Sequence, residues 1–165
     1  DQIGMLATVM NCIYMSEAVR HTGLMTNILT PFECGSFTKL YSKDRAEKYL
    51  KAGHVVFFAG VSGHPYFSTD TATALRAIEI EADMILLAKA VDGIYDSDPK
   101  VNPDAKRYDT IAIQDVIDQK LGVMDLTASI MCMENKMPMA VFSLNEPGSI
   151  AEALKGNING TTVTV

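Results

Sequence analysis

Apolar residues recur along this chain with two different periods, and the changes of period mark its elements. Ile3, Met5, Leu6, Val9, Met10 and Ile13 repeat at helical spacing, which predicts a first helix over about Asp1 to His21, stopped at Gly23. Leu24 to Leu29 reads as a short strand. Ala46, Tyr49 and Leu50 lie on one face of a second helix ending at Gly53, and Val55 to Phe58 has the β-branched and aromatic character of a buried strand. Ala74, Leu75, Ala77 and Ile78 restore the helical period over about Thr69 to Glu81, before a fully apolar strand at Met84 to Leu87. Ile113, Val116, Ile117 and Leu121 mark another helix, Asp125 to Asn135 a further one, and Met139 to Phe142 a strand. Ser149 and Glu152 have the spacing of a capping box for a short helix ending near Gly156, and Thr161 to Val165 closes as a β-rich tail. Strand and helix alternate. The pattern predicts an α/β fold, a three-layer α/β/α sandwich with a mostly parallel sheet, whose ligands sit beyond the carboxyl ends of the strands.

The segment most suggestive of chemistry joins the strand at Val55 to the helix at Thr69. Gly60 and Gly63 let backbone approach a ligand closely, and Ser62, Ser68, Thr69 and Thr71 add hydroxyls beside the unpaired amides of a helix N-terminus. Such a turn attracts phosphate. Ordinary N-capping also selects Ser, Thr and Asp before an apolar helix. The density of Gly, Pro, adjacent aromatics and hydroxyls in this loop exceeds what one cap needs, and that favours binding.

Composition narrows the function classes. In 165 residues, 48% are hydrophobic and 21% charged, a globular balance sufficient for one domain with a packed core. The formal net charge of −6 and the lack of a basic stripe argue against a nucleic-acid partner. No apolar run approaches the length of a bilayer span, so no membrane role is expected. Cys12, Cys34 and Cys132 are widely spaced and read as reduced thiols of a cytoplasmic protein. His21, His54 and His64 are equally scattered, giving no metal-ligand set and no local support for a catalytic triad. Asp1 opens directly on an apolar helix, so the sequence is expected to begin part-way through a longer protein.

A second loop, Lys89 to Pro99, combines a strand-terminal cation, a Gly turn, an aromatic ring and several carboxylates. Lys89 suits a phosphate, Tyr95 a base, and the acids a ribose or a hydrated Mg²⁺. Asp-Gly and Asp-Pro are also routine turn formers, and from these residues alone the two readings stand level.

The two loops, in this order and spacing, resemble the bacterial UMP kinases of the amino acid kinase family. The resemblance is carried by Asp1 to Asn11, by the Pro65-Tyr66-Phe67-Ser68-Thr69-Asp70-Thr71 run, by Ala77 to Asp83, by Val91-Asp92-Gly93-Ile94-Tyr95 with Asp98-Pro99, by Val123 to Leu126 and by Val141 to Ser143. It implies the carbamate-kinase-like form of the α/β fold and phosphoryl transfer from ATP to UMP with Mg²⁺, in pyrimidine nucleotide synthesis. It also implies a cytoplasmic homohexamer with GTP or UTP effectors. Position by position, Asp1 would contact the uridine. Ser62, Gly63, His64, Pro65, Tyr66, Phe67, Ser68 and Thr69 would hold the phosphate and base of UMP. Lys89, Tyr95 and Asp98 would line the ATP site. Asp70 falls where a family carboxylate organises the catalytic lysines, with Asp125 a weaker second candidate.

The family's lysine segment and first Gly-rich loop do not occur in these residues. These 165 residues alone are therefore expected to form an N-terminally incomplete amino acid kinase domain without useful turnover. Val61 and His64 depart from the family's usual loop, and Val61 stands where Gly would more readily take a positive φ. In the region of Ser16 to Asn27 only Arg20 is basic, which weakens the expectation of effector control. Two alternatives remain: another family member with a small carboxylate or carbamate acceptor, which the Tyr66-Phe67 pair disfavours, and a noncatalytic nucleotide-binding module.

Overall fold

Helical and extended periods alternate in the structure much as they do in the sequence. The structure, a computed structural model, describes residues 1–122 and 124–165, so the part of the Val123 to Leu126 motif that rests on Val123 lies outside the described residues. Two units are present, Asp1–Ile80 and Glu81–Val165.

In the first unit, α1 (Gln2–Arg20) leads into β1 (Thr26–Thr30), followed by β2 (Lys39–Leu40), α2 (Lys43–Lys51), β3 (Val55–Phe58) and α3 (Thr69–Glu79). The strands form a parallel sheet in the order β2-β1-β3, with Thr26 opposite Val55 and Leu29 opposite Lys39. Central β1 carries the burial. Val9, Ile28 and Ala59 form a core cluster, against which Cys12, Ile13, Cys34 and Phe57 pack. Two expectations need correcting here. Val55 to Phe58 is half-buried along its whole length rather than buried, because β3 is an outer strand of its sheet. The apolar stripe of α1 is also only partly core: Met5 and Val9 face inward, whereas Ile3 is 86% and Met10 70% exposed.

The second unit runs β4 (Ile85–Lys89), β5 (Thr110–Ala112), α4 (Ile113–Asp118), α5 (Leu126–Glu134), β6 (Met139–Ser143), α6 (Ser149–Leu154) and β7 (Gly160–Thr164). Its sheet has the order β4-β6-β7-β5. The β4–β6 and β5–β7 pairs are parallel and β6–β7 is antiparallel. Four of the five β6 residues are buried, which accounts for its continuous apolar run. The capping box expected at Ser149 is absent. Gly148 is the N-cap and makes no side-chain cap bond, while the Glu152 carboxylate pairs with Lys155 and accepts from Asn157. Both units combine parallel-dominated strands with helices, the α/β class that the alternation predicts.

Candidate active site

The loop after β3 is built from backbone turned the unusual way. Gly60, Val61, Gly63 and Tyr66 have φ of 82°, 57°, 81° and 69°, four left-handed residues within seven. Left-handed turns bring successive amides to one side and make concavities that suit anions. Glycine is required at two of these positions by space as well as by φ. A Cβ on Gly60 would lie 3.0 Å from both Phe32 and Pro31, and one on Gly63 would lie 2.9 Å from Pro31.

Helix α1 holds this loop at two points. Thr8 Oγ1 accepts from the Gly60 amide at 2.9 Å while donating to the Met5 carbonyl, and Asp1 Oδ2 accepts from the Tyr66 amide at 2.9 Å. Within the loop, Ser62 Oγ accepts from the His64 amide. Ser68 is the N-cap of α3, its hydroxyl accepting from the Thr71 amide at 3.0 Å. Capping is therefore realised at Ser68, whereas the turns of residues 60–66 exceed what a cap requires. Asp70 occupies the first turn of α3, where the helix dipole favours a carboxylate. His64, Pro65 and Thr69 are exposed. Tyr66 is 97% and Phe67 50% exposed, so the aromatic pair presents its faces outward instead of packing into the core.

The other predicted residues meet in the second unit. A cavity of about 470 Å³ is lined by Lys89, Tyr95 and Asp98 together with Ile94, Lys120 and Leu121. Lys89 ends β4, and the Leu144 amide donates to its carbonyl, fixing the strand end. The Tyr95 hydroxyl donates to Asp92 Oδ1 at 2.9 Å, and Arg107 holds Asp92 Oδ2 at 3.0 Å. That hydrogen bond to Asp92 is the main reason the Tyr95 phenol lies above its ordinary pKa, with burial adding to it. A small hairpin supports the ring. Tyr95 bridges Arg107, and the Asp96 amide donates to the Lys106 carbonyl. Asp98 Oδ1 accepts from the Lys100 amide at 2.9 Å, so this acid shapes the turn as well as lining the cavity.

Lys120 and Leu121 were not anticipated as site residues. The helical period of Ile113 to Leu121 hid them, because α4 ends at Asp118 and Lys120 turns the chain with φ of 53°. Asp125 N-caps α5, accepting from the Ala128 amide at 2.8 Å. Burial raises the thiols of Cys12 and Cys132, the latter to about 11, which makes both poor nucleophiles at neutral pH. Among the described residues no three His, Cys, Asp or Glu side chains converge on a point that would hold a metal ion, and no helix is long and apolar enough to cross a membrane.

Comparison with known proteins places this geometry. The model of the amino acid kinase family matches residues 1–143. The chain belongs to the amino acid kinase family. It is 47% identical over 163 residues to a protein named uridylate kinase from Psychrobacter sp. (strain PRwf-1), a match that spans 99% of this chain and 68% of that one. It is 46% identical to a chloroplastic uridylate kinase of Arabidopsis thaliana, again over 99% of this chain but 48% of the relative. The crystal structure of UMP kinase from Ureaplasma parvum superposes with a TM-score of 0.93 at 36% identity, covering 99% of this chain and 70% of that one. UMP kinase from Bacillus anthracis gives a TM-score of 0.94 at 33% identity, with coverage of 99% and 68%. The resemblance carried by the two loops thus extends along nearly the whole chain, and the α/β fold of this family accounts for both the parallel strand pairs and the strand-to-helix turns.

Proposed function

We propose that the chain belongs to an enzyme that transfers the terminal phosphoryl group of ATP to UMP, giving ADP and UDP. The observation that carries this reading is the match at 45–47% identity, over 99% of the chain, to proteins named uridylate kinase. The two loops support it. The loop of Ser62 to Thr69, turned by left-handed Gly63 and Tyr66, suits the phosphate of UMP, and exposed Tyr66 and Phe67 offer flat apolar faces to a base. Asp1 meets that loop at Tyr66. The cavity at Lys89, Tyr95 and Asp98 has the size and mixed character of a nucleotide site.

Phosphoryl transfer asks for alignment and for positive charge facing the transferred oxygens, not for covalent chemistry by the protein. In our reading Lys89 faces ATP phosphate, Tyr95 backs the nucleotide and Asp98 meets a ribose hydroxyl. Asp70, the residue that follows Thr69 in the first turn of α3, orients cationic groups at the reacting phosphate. Mg²⁺ would come with ATP as part of the substrate and would supply positive charge at its phosphates. We further propose action in pyrimidine nucleotide synthesis in the cytoplasm. Self-association, as a hexamer, is supported by the exposed apolar positions Ile3, Leu6, Met10 and Tyr14 on α1.

Titration calorimetry on the whole protein, with UMP, CMP, AMP and glutamate in turn, tests the acceptor. Selective binding of UMP, accompanied by ADP release when ATP is added, is the expected result. A preference for the carboxylate would instead favour another acceptor of the same family, and binding of UMP without ADP release a noncatalytic nucleotide-binding role.

A further inference from the structure

We infer that Thr161 is a positioning residue for the nucleotide cavity of the second unit, acting through the hairpin that carries Tyr95 and Asp98. The inference rests on the ATP-binding role proposed for that cavity. Thr161 lies on β7, opposite Val141 in the antiparallel pair, and is fully buried. Its hydroxyl accepts from the Ile94 amide at 2.8 Å and donates to the Tyr108 carbonyl at 2.5 Å. Ile94 and Tyr108 close the base of the hairpin, since the Tyr108 amide donates to the Ile94 carbonyl at 2.8 Å. One side chain therefore ties both hairpin strands to the sheet at the residue preceding Tyr95.

The surroundings show that a hydroxyl is specifically accommodated here. Ile94 is buried, so its amide needs an internal acceptor, and Thr161 supplies it. Gly93 has no side chain because a Cβ there would lie 2.7 Å from Thr161 Oγ1 and 2.7 Å from Arg107 Cδ. Arg107 in turn holds Asp92, the acceptor of the Tyr95 hydroxyl. Loss of the Thr161 bonds would leave a buried donor unpaired and would let Ile94 and Tyr95 move relative to the cavity wall. Thr161 itself is not among the residues that line the cavity, so its effect on a ligand is indirect.

Thr161→Val is close in shape and removes both hydrogen bonds. In the whole protein it is expected to weaken ATP binding, measured by calorimetry, by about tenfold or more, the scale of one unpaired buried donor. UMP affinity should stay unchanged, and Thr161→Ser, which keeps the hydroxyl, should restore ATP affinity. A merely structural role would weaken both nucleotides together or leave Thr161→Ser as poor as Thr161→Val, and either result overturns the inference, as does unchanged ATP affinity. Should Thr161→Val fail to fold, Thr161→Ala carries the same expectation, since it removes the hydroxyl without setting a methyl against the Ile94 amide. Tyr95→Ala separates the two proposals. If Tyr95→Ala leaves ATP affinity intact, the donor nucleotide does not use this cavity; if it weakens ATP while Thr161→Val does not, only the positioning role fails.

Discussion

The Asp1 carboxylate accepts a hydrogen bond from the Tyr66 amide at 2.9 Å, joining residues 65 positions apart. Tyr66 is one of the residues held at positive φ, so the bond fastens the loop where its backbone is least relaxed. Asp1→Asn retains the size and an acceptor oxygen but loses the charge. A charged acceptor adds about 1 kcal/mol over a neutral one and this bond is exposed, so UMP affinity should fall by about two- to fivefold. ATP affinity should not change. Calorimetry with each nucleotide checks this, and equal UMP affinity in the variant would show that Asp1 does not shape the acceptor loop.

Val61 sits in the same loop with φ of 57°, a conformation that a β-branched side chain adopts only under strain. Left-handed backbone costs an L-residue about 1–2 kcal/mol, and glycine returns part of that gain through its greater freedom in the unfolded chain. Val61→Gly is therefore expected to stabilise the protein by up to about 1 kcal/mol, a rise of a few degrees in melting temperature. UMP binding should be retained. A lower melting temperature would mean that packing of the Val61 side chain outweighs its backbone strain.

Asp70 lies two residues beyond the N-cap Ser68, in the first turn of α3. If its carboxylate organises cations at the reacting phosphate, Asp70→Asn should lower turnover by about 100-fold or more while leaving UMP affinity close to normal. The comparison of kcat with the UMP dissociation constant is the measurement. Unchanged turnover would remove Asp70 from the mechanism. A parallel loss of UMP binding would assign it to loop structure instead.

Where the sequence was readable depended on how local the cause was. Val55 to Phe58 and Met139 to Phe142 could be read because each is a short unbroken apolar run bounded by polar or turn residues, and the turn at Gly60 because glycine and hydroxyls cluster there. β2 and β5 escaped because two and three residues show no period, and their pairing depends on β1 and β7. Ser149 and Glu152 had the right spacing for a capping box, yet Lys155 and Asn157 compete for the same carboxylate. Lys89, Tyr95 and Asp98 were legible as chemistry because they sit within ten residues of chain. Lys120 and Leu121, which line the same cavity, come from a distant turn and carried no local signal.

Tyr41 offers a test at high pH. Its hydroxyl donates to Glu79 at 2.6 Å, the Arg76 guanidinium lies 3.8 Å from its ring centroid, and Arg76 also pairs with Glu79 at 2.6 Å. The cluster links the end of α3 to the segment that leads into α2. Burial, reinforced by the hydrogen bond to Glu79, pushes the Tyr41 phenol up to about 12. Because the folded value lies above that of the unfolded chain, folding favours the protonated phenol. The resulting stabilisation is complete below about pH 10 and is lost as pH rises toward 12. Tyr41→Phe cannot ionise, so its stability should fall less steeply over that window than that of the parent protein. Near neutral pH the variant should lose about 1 kcal/mol, since Glu79 keeps Arg76 as a partner. Denaturant melts at pH 8 and pH 11 give both values, and parallel pH profiles for the two proteins would show that the Tyr41 proton is not held by the fold.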